Sequence, residues 1–238
     1  VALARSAPPL RSPAWVPPKT RTEPARVAVA GGPAFSFGYA ENLELLQAAG
    51  AELVALDPTR DPALPDVDAL YLGGGFPEAH ADALGANVTL RTAVAGFAAA
   101  GRPILAECGG LLYLCRSLDG KPMCGVLEAN AVMTDRLTLG YRRATVVTAS
   151  AAWQPGAQVC GHEFHYSTVE PAAGATPAWQ LVGSAPTRDA RGAALTRGRL
   201  EGFVAGGLHA SYLHTHWAGT PQVAAGFVAA AARARVHQ

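Results

Sequence analysis

The sequence predicts a doubly wound, mostly parallel α/β sheet with extra antiparallel strands in its second half. Three observations carry this. Short apolar runs alternate with helix-compatible stretches between residues 26 and 106, the pattern of βαβ units. Glycine, or the turn-forming Asn87, stands at the joints of that alternation. From about residue 124 the spacing shortens and the composition turns β-rich.

The elements follow in order. Residues 26–30 (R-V-A-V-A) form a buried strand. Residues 41–49 form a helix that closes at Gly50. Residues 51–56 and 68–72 are the second and third strands, and the third ends in Gly73-Gly74-Gly75. A helix over 87–100 starts on Asn87, a good N-cap, and stops at Gly101. Residues 103–106 are the fourth strand. Further strands are predicted at 145–148, 161–169, 179–182 and 202–205, and a late one at 207–211. A closing helix spans 223–234, and there is no internal repeat.

Composition narrows the function classes. The chain has 238 residues, half of them hydrophobic, enough for one large domain with a small appendage. Nineteen basic residues face 18 acidic ones, which gives no support for a nucleic-acid or membrane-surface partner. No run of 18 apolar residues exists, so no membrane span is expected. Four cysteines, at 108, 115, 124 and 160, include no C-x-x-C pair. They are expected to be reduced thiols in the cytoplasm, and the last three to be structural. Residues 1–25 hold six prolines among scattered basic residues, the composition of a semi-rigid linker. The chain starts at Val1 rather than Met, so a fragment carrying an interdomain linker is expected, with the domain proper at 26–238.

Chemistry concentrates in a few places. A strand, a cysteine and two glycines follow one another in A-E-C-G-G-L-L-Y-L, residues 106–114. Ligands of open parallel sheets bind at the carboxyl ends of strands, so Cys108 would project there. A helix N-terminus favours a thiolate, and Gly109 and Gly110 keep the corner open. This is the logic of a nucleophile elbow with Cys in place of Ser, the Gly109 N–H facing a developing oxyanion. A buried structural cysteine at a tight turn is the alternative. A base is offered by His209, His214 and His216, clustered after the late strand. His80 and His237 have poor contexts. His162 and His165, three apart on one strand, would face opposite ways and make a poor metal pair. Gly74 and Gly75 either form a plain turn or supply a second oxyanion donor. The phosphate loop G-x-x-x-x-G-K-[ST] is absent.

Three blocks together resemble a known family: Y-L-G-G-G-F-P-E (71–78), A-E-C-G-G-L-L-Y-L (106–114) and G-H-E-F-H-Y-S (161–167). They are similar to the glutamine amidotransferase domain of cobyrinic and hydrogenobyrinic acid a,c-diamide synthases. A-S-Y-L-H-T-H (210–216) fits the family's C-terminal block, and A-F-S-F (34–37) with E-N-L-E-L-L (41–46) its opening segment. The opening loop departs from the pattern, with Gly32-Pro33 and Gly38-Tyr39 where an aspartate and paired tyrosines are expected. The resemblance implies a flavodoxin-like class I glutaminase with Cys108 as nucleophile and His214 as base. His216 stands where other class I members carry a glutamate, so it is the candidate third member. Gly74, Gly75 and Gly109 would serve the oxyanion and substrate. Glu163 would hold the α-ammonium of glutamine, or else form a buried structural pair. The implied partners are L-glutamine and an N-terminal synthetase domain carrying the corrinoid, in an enzyme that could be a homodimer. No cofactor or metal is expected in this domain; ATP and Mg²⁺ would belong to the synthetase. Other readings remain open: another cysteine hydrolase on the same sheet, a glutaminase for a different carboxylate, or a non-catalytic docking domain.

Overall fold

The computed structural model describes Ser6 and residues 15–19, 23–183 and 198–236. Most of the proline-rich linker call, residues 1–25, therefore lies outside the described residues. The first strand, β1 (Ala25–Ala30), pairs in parallel with β2 (Ala51–Leu56) on one side and β3 (Ala69–Leu72) on the other. Beyond β3 come β4 (Ile104–Glu107) and β12 (Leu208–Ser211), both parallel, and then the antiparallel edge strand β11 (Phe203–Ala205). The late strand is thus a full member of the main sheet, and His209 comes with it.

The central strands are buried on both faces, as parallel sheets are, and period-2 alternation splits them between two cores. Leu70, Leu72, Ile104 and Ala106 face one side and pack with Leu90, Val94 and Phe97. Ala69, Tyr71 and Leu105 face the other and pack with Leu45, Trp217 and Phe227. The helices supplying those layers are α1 (Ala40–Ala48), α3 (Val88–Ala99) and α5 (Gln222–Val236). Asn87 caps α3 as expected, its side-chain oxygen accepting from the Leu90 N–H at 3.3 Å. The short α2 (Ala81–Ala86) precedes α3, and the six-residue α4 (Gly109–Leu114) follows β4.

Among the described residues a second sheet is built around a long hairpin, β7 (Asn130–Val146) and β8 (Gln158–Glu170). Two short strands, β5 (Ser117–Leu118) and β6 (Lys121–Pro122), flank β7 on one side. Along the same edge, at the far end of β7, lie β9 (Trp179–Gly183) and β10 (Arg199–Glu201), since β8 fills the other edge. The predicted strand at 145–148 is only the end of β7. The rest of β7 escapes the sequence reading because its register slips between Met133 and Thr138 and its apolar Leu137, Leu139 and Tyr141 lie on the exposed face. The two-residue β13 (His214–Thr215) pairs with β8 and stitches the sheets together where β12 ends.

Candidate active site

The backbone around Cys108 is the most unusual feature of the fold. Its φ is +47° and its ψ −97°, a conformation that costs a residue with a Cβ on the order of 1–3 kcal/mol. Strain of this kind persists where the surroundings over-determine it, and here they do. The Cys108 N–H donates to Ser211 O at 2.8 Å, and the Gly110 N–H donates to Gly73 O at 3.0 Å. The corner is thus pinned to the ends of β12 and β3 on either side of β4. Gly110 has no alternative: a Cβ there would lie 2.7 Å from Leu72 Cβ and closer still to Leu72 O. Gly109 comes equally close to the glycine loop, since a Cβ on it would be 3.0 Å from Gly75 N. The glycine loop therefore packs against the start of α4. The Gly109 N–H already interacts with Cys108.

His214 reaches this corner from β13. Its ring lies edge-to-face on Phe37, centroids 4.8 Å apart, and stacks on His162 at 4.8 Å and 13°. Below it is Gly74, whose missing side chain leaves room for the ring; a Cβ would overlap His214 Cε1. Gly74 O accepts from the Phe37 N–H at 3.1 Å, which closes the wall. Tyr39 extends that wall, its hydroxyl 3.3 Å from His162 Nδ1.

Both side chains are buried, Cys108 at 5% and His214 at 4% exposure. Burial pushes the Cys108 thiol up to about 12, with the Glu78 charge adding to it and the Gly109 N–H opposing it. Burial also pushes His214 down to about 3, aided by His162 and His165. The resting pair is neutral thiol and neutral imidazole. The thiol donates weakly to Phe164 O at 3.9 Å. The expectation of a resting thiolate is thus overturned: α4 has only six residues, and desolvation outweighs its dipole.

The remaining candidates fall elsewhere. His216 caps a 3₁₀ turn (Trp217–Gly219), leans on Tyr39 at 4.5 Å and lies 3.5 Å from Glu41. Glu163 is fully buried and paired with Arg142 at 2.6 Å and with Arg199. Burial would raise its pKa, but His165, whose Nε2 lies 3.7 Å away, and the two guanidinium groups prevail and hold it at about 2. The geometry favours the structural pair over an ammonium site. His209 is sealed between Trp153 and Trp179, so it leaves the list of candidate bases. Cys115 and Cys124 are buried, but Cys160 is exposed on β8, against expectation, because it lies opposite Arg143 on the outer face. Among the described residues no group of three His, Cys, Asp or Glu side chains is arranged to hold a metal. No described helix is long and apolar enough to cross a membrane.

Phe37, Tyr39 and His162 were not singled out as site residues. Phe37 ends the A-F-S-F block that fits the family pattern, whereas Tyr39 belongs to the Gly38-Tyr39 pair that departs from it. His162 was considered only as half of a metal pair. The signal was available in G-H-E-F-H-Y-S, but a strand's partner across the site is invisible in sequence.

These buried groups make opposing contributions to stability as pH changes. Glu107 and Glu201, raised by burial to about 7, favour folding at low pH and lose that contribution as pH rises through 7. His209 and His214, both lowered to about 3 by burial, favour folding above their unfolded value of 6.5 and lose that as pH falls. The two pairs oppose one another between the unfolded glutamate and histidine values of 4.5 and 6.5. Below that window the histidines act unopposed and Glu163 joins them. Stability measured by denaturant titration is therefore expected to be nearly flat across the window and to drop steeply below it. A continuous decline from neutral pH downward would contradict these assignments.

Comparison with known proteins agrees with the geometry. The family model for the CobB/CobQ-like glutamine amidotransferase domain matches residues 26–222. A hydrogenobyrinate a,c-diamide synthase of Streptomyces coelicolor is 52% identical over 92% of this chain and 46% of its own length. A cobyrinate a,c-diamide synthase of Methanothermobacter thermautotrophicus is 41% identical over 91% and 46%. The chain thus spans about half the length of the curated relatives it matches. Among solved structures, a glutamine amidotransferase superposes with a TM-score of 0.53 at 19% identity, covering 87% of this chain and 98% of that one. A chain of PurLQS from Thermotoga maritima gives 0.53 at 14% identity, covering 90% and 99%. The predicted fold class is borne out, and by its sequence the chain belongs to the CobB/CobQ-like glutamine amidotransferase domain family.

Proposed function

We propose that this chain is a glutaminase that hydrolyses the side-chain amide of L-glutamine to glutamate and ammonia. The observation that carries this is the strained Cys108 corner, with His214 seated against Gly74 of the loop that packs on Gly109.

Because both groups rest neutral, the proton must move as the bond forms. The Cys108 thiol passes its proton to His214 while sulfur attacks the amide carbonyl carbon. The backbone N–H groups of Gly109 and Gly75 face the resulting oxyanion, and the charge pair formed is stabilised by fixed dipoles rather than by water. His214 then gives the proton to the leaving nitrogen, and ammonia departs. Water attacks the thioester, His214 taking its proton and returning it to sulfur. Glutamine and water become glutamate and ammonia, and the enzyme is restored.

The names of the relatives support a further step in the longer protein. The ammonia would there amidate the a and c side chains of hydrogenobyrinate or cobyrinate, in a synthetase domain using ATP and Mg²⁺. No step proposed for this chain passes through ATP or Mg²⁺. The free thiols fit a cytoplasmic site of action.

The test is glutamate release from glutamine, together with a glutamine-like alkylating agent whose adduct is located by mass spectrometry. The adduct is expected on Cys108. His214→Ala is expected to stop turnover and His216→Ala to leave it within about threefold, since His216 contacts Glu41 and Tyr39. Labelling at another residue, or loss of turnover in the His216 variant alone, overturns the assignment.

A further inference from the structure

We propose that Glu107 is a positioning residue: by accepting both hydrogen bonds offered by Thr215, it fixes the adjoining base His214 against the adjoining nucleophile Cys108. The inference rests on the roles of Cys108 and His214 given above.

Glu107 is the last residue of β4 and precedes Cys108 in the chain. Thr215 follows His214. Glu107 Oε1 accepts from the Thr215 N–H at 3.1 Å and from Thr215 Oγ1 at 2.6 Å. Its other oxygen accepts from Tyr71 OH at 3.2 Å. Asn42 holds the opposite side: its Nδ2 donates to Thr215 O at 3.0 Å, and its Oδ1 accepts from the Trp217 N–H at 2.9 Å. Trp217 Nε1 donates to Thr215 Oγ1 at 2.9 Å. Every polar atom of Thr215 is engaged.

The consequence is a loop tied at both ends. Ser211 O accepts from the Cys108 N–H at 2.8 Å, and Thr215 is held by Glu107. Only Tyr212, Leu213 and His214 lie between. A shift of the His214 backbone relative to Cys108 therefore strains the bonds to residues 107 and 108. This replaces what a carboxylate on the imidazole does in a triad. Among the described residues no side-chain oxygen accepts from the His214 ring, and position 216 is a histidine turned toward Glu41. The cost of the arrangement also argues for a purpose. Glu107 is only 5% exposed, and a buried carboxyl is expensive even when hydrogen-bonded. An apolar residue would pack at the end of β4 without that cost.

Four variants test the proposal: Glu107→Leu and Thr215→Val, which remove the bonds, and Glu107→Gln and Thr215→Ser, which keep an acceptor and a hydroxyl. Two quantities are read: kcat and KM for glutamine, and the rate at which iodoacetamide alkylates each cysteine at neutral pH. The disruptive pair is expected to lower kcat on the order of 10–100-fold with KM changed less than about threefold, as for displacement of a reacting group. Alkylation of Cys108 should slow in step, because its thiol relies on the base to lose its proton, while buried Cys115 and Cys124 stay unlabelled. The conservative pair should restore both rates to within about threefold. Unchanged rates in the disruptive pair overturn the proposal. So does new labelling of Cys115 and Cys124, which would mean that Glu107 only holds the fold together. Alkylation needs no glutamine, so it reports on Glu107 even if the glutaminase reading fails.

Discussion

Replacing Cys108 by alanine is expected to abolish glutamine hydrolysis, and replacing it by glycine to do the same in a more stable protein. The first result follows from losing the only nucleophile at the corner; removal of a nucleophile costs on the order of 10⁴-fold or more. The second is a statement about backbone. At φ +47° and ψ −97° a Cβ is penalised, by about 1–2 kcal/mol in the left-handed region. Alanine keeps that penalty and glycine does not. At an ordinary helix N-cap glycine is also favoured over alanine, by about 1 kcal/mol, so the strain shows as a margin in favour of glycine larger than that. Thermal unfolding of the two variants decides the matter. If the margin is no larger than that, the corner is not strained in solution, and the main reason for placing the nucleophile there is lost.

Gly74→Ala is expected to lower turnover about 10²-fold, the scale of an ångström-sized displacement of a reacting group. The added methyl would overlap His214 Cε1 and sit 3.3 Å from Phe37 Cδ1. The imidazole has no free side to retreat to, since Phe37 and His162 both lie 4.8 Å away, centroid to centroid. The ring must rotate or the glycine loop must move, and either change separates the base from the sulfur. Overpacking of this kind costs about 1–3 kcal/mol, small enough for the variant to fold. Gly38→Ala is the control, because nothing lies within 4 Å of a Cβ at that position; it should leave turnover unchanged. Full activity in Gly74→Ala would mean that His214 works from somewhere other than where it is packed.

Much of the site was legible before any coordinates. Gly109-Gly110 after a strand and a cysteine announced a corner where no Cβ is tolerated, and the contact with Leu72 accounts for it. Asn87 and Gly101 marked the ends of a helix that is present within a residue. The β7 strand was not legible beyond its last residues, because its register slips between Met133 and Thr138 and beyond the slip its apolar residues Leu137, Leu139 and Tyr141 face outward, against the usual pattern. The protonation of Cys108 was misjudged for a related reason. A helix start is visible in sequence, whereas the extent of desolvation is set by Phe164, Gly75 and other residues far away in the chain.

The sequence by itself determined the alternation of strands and helices, the sharp turn at Cys108 and the family. Each depends on residues near one another in the chain, or on blocks specific enough to be recognised together. The tertiary structure fixed which histidine is seated against the glycine loop, that His162 and Phe37 wall it in, and that Glu163 pairs with Arg142 and Arg199. It also decided that a carboxylate beside the nucleophile grips the residue beside the base, across 108 positions of chain. Such pairings depend on sheet order and strand register, which arise from the packing of the whole domain and leave no local trace.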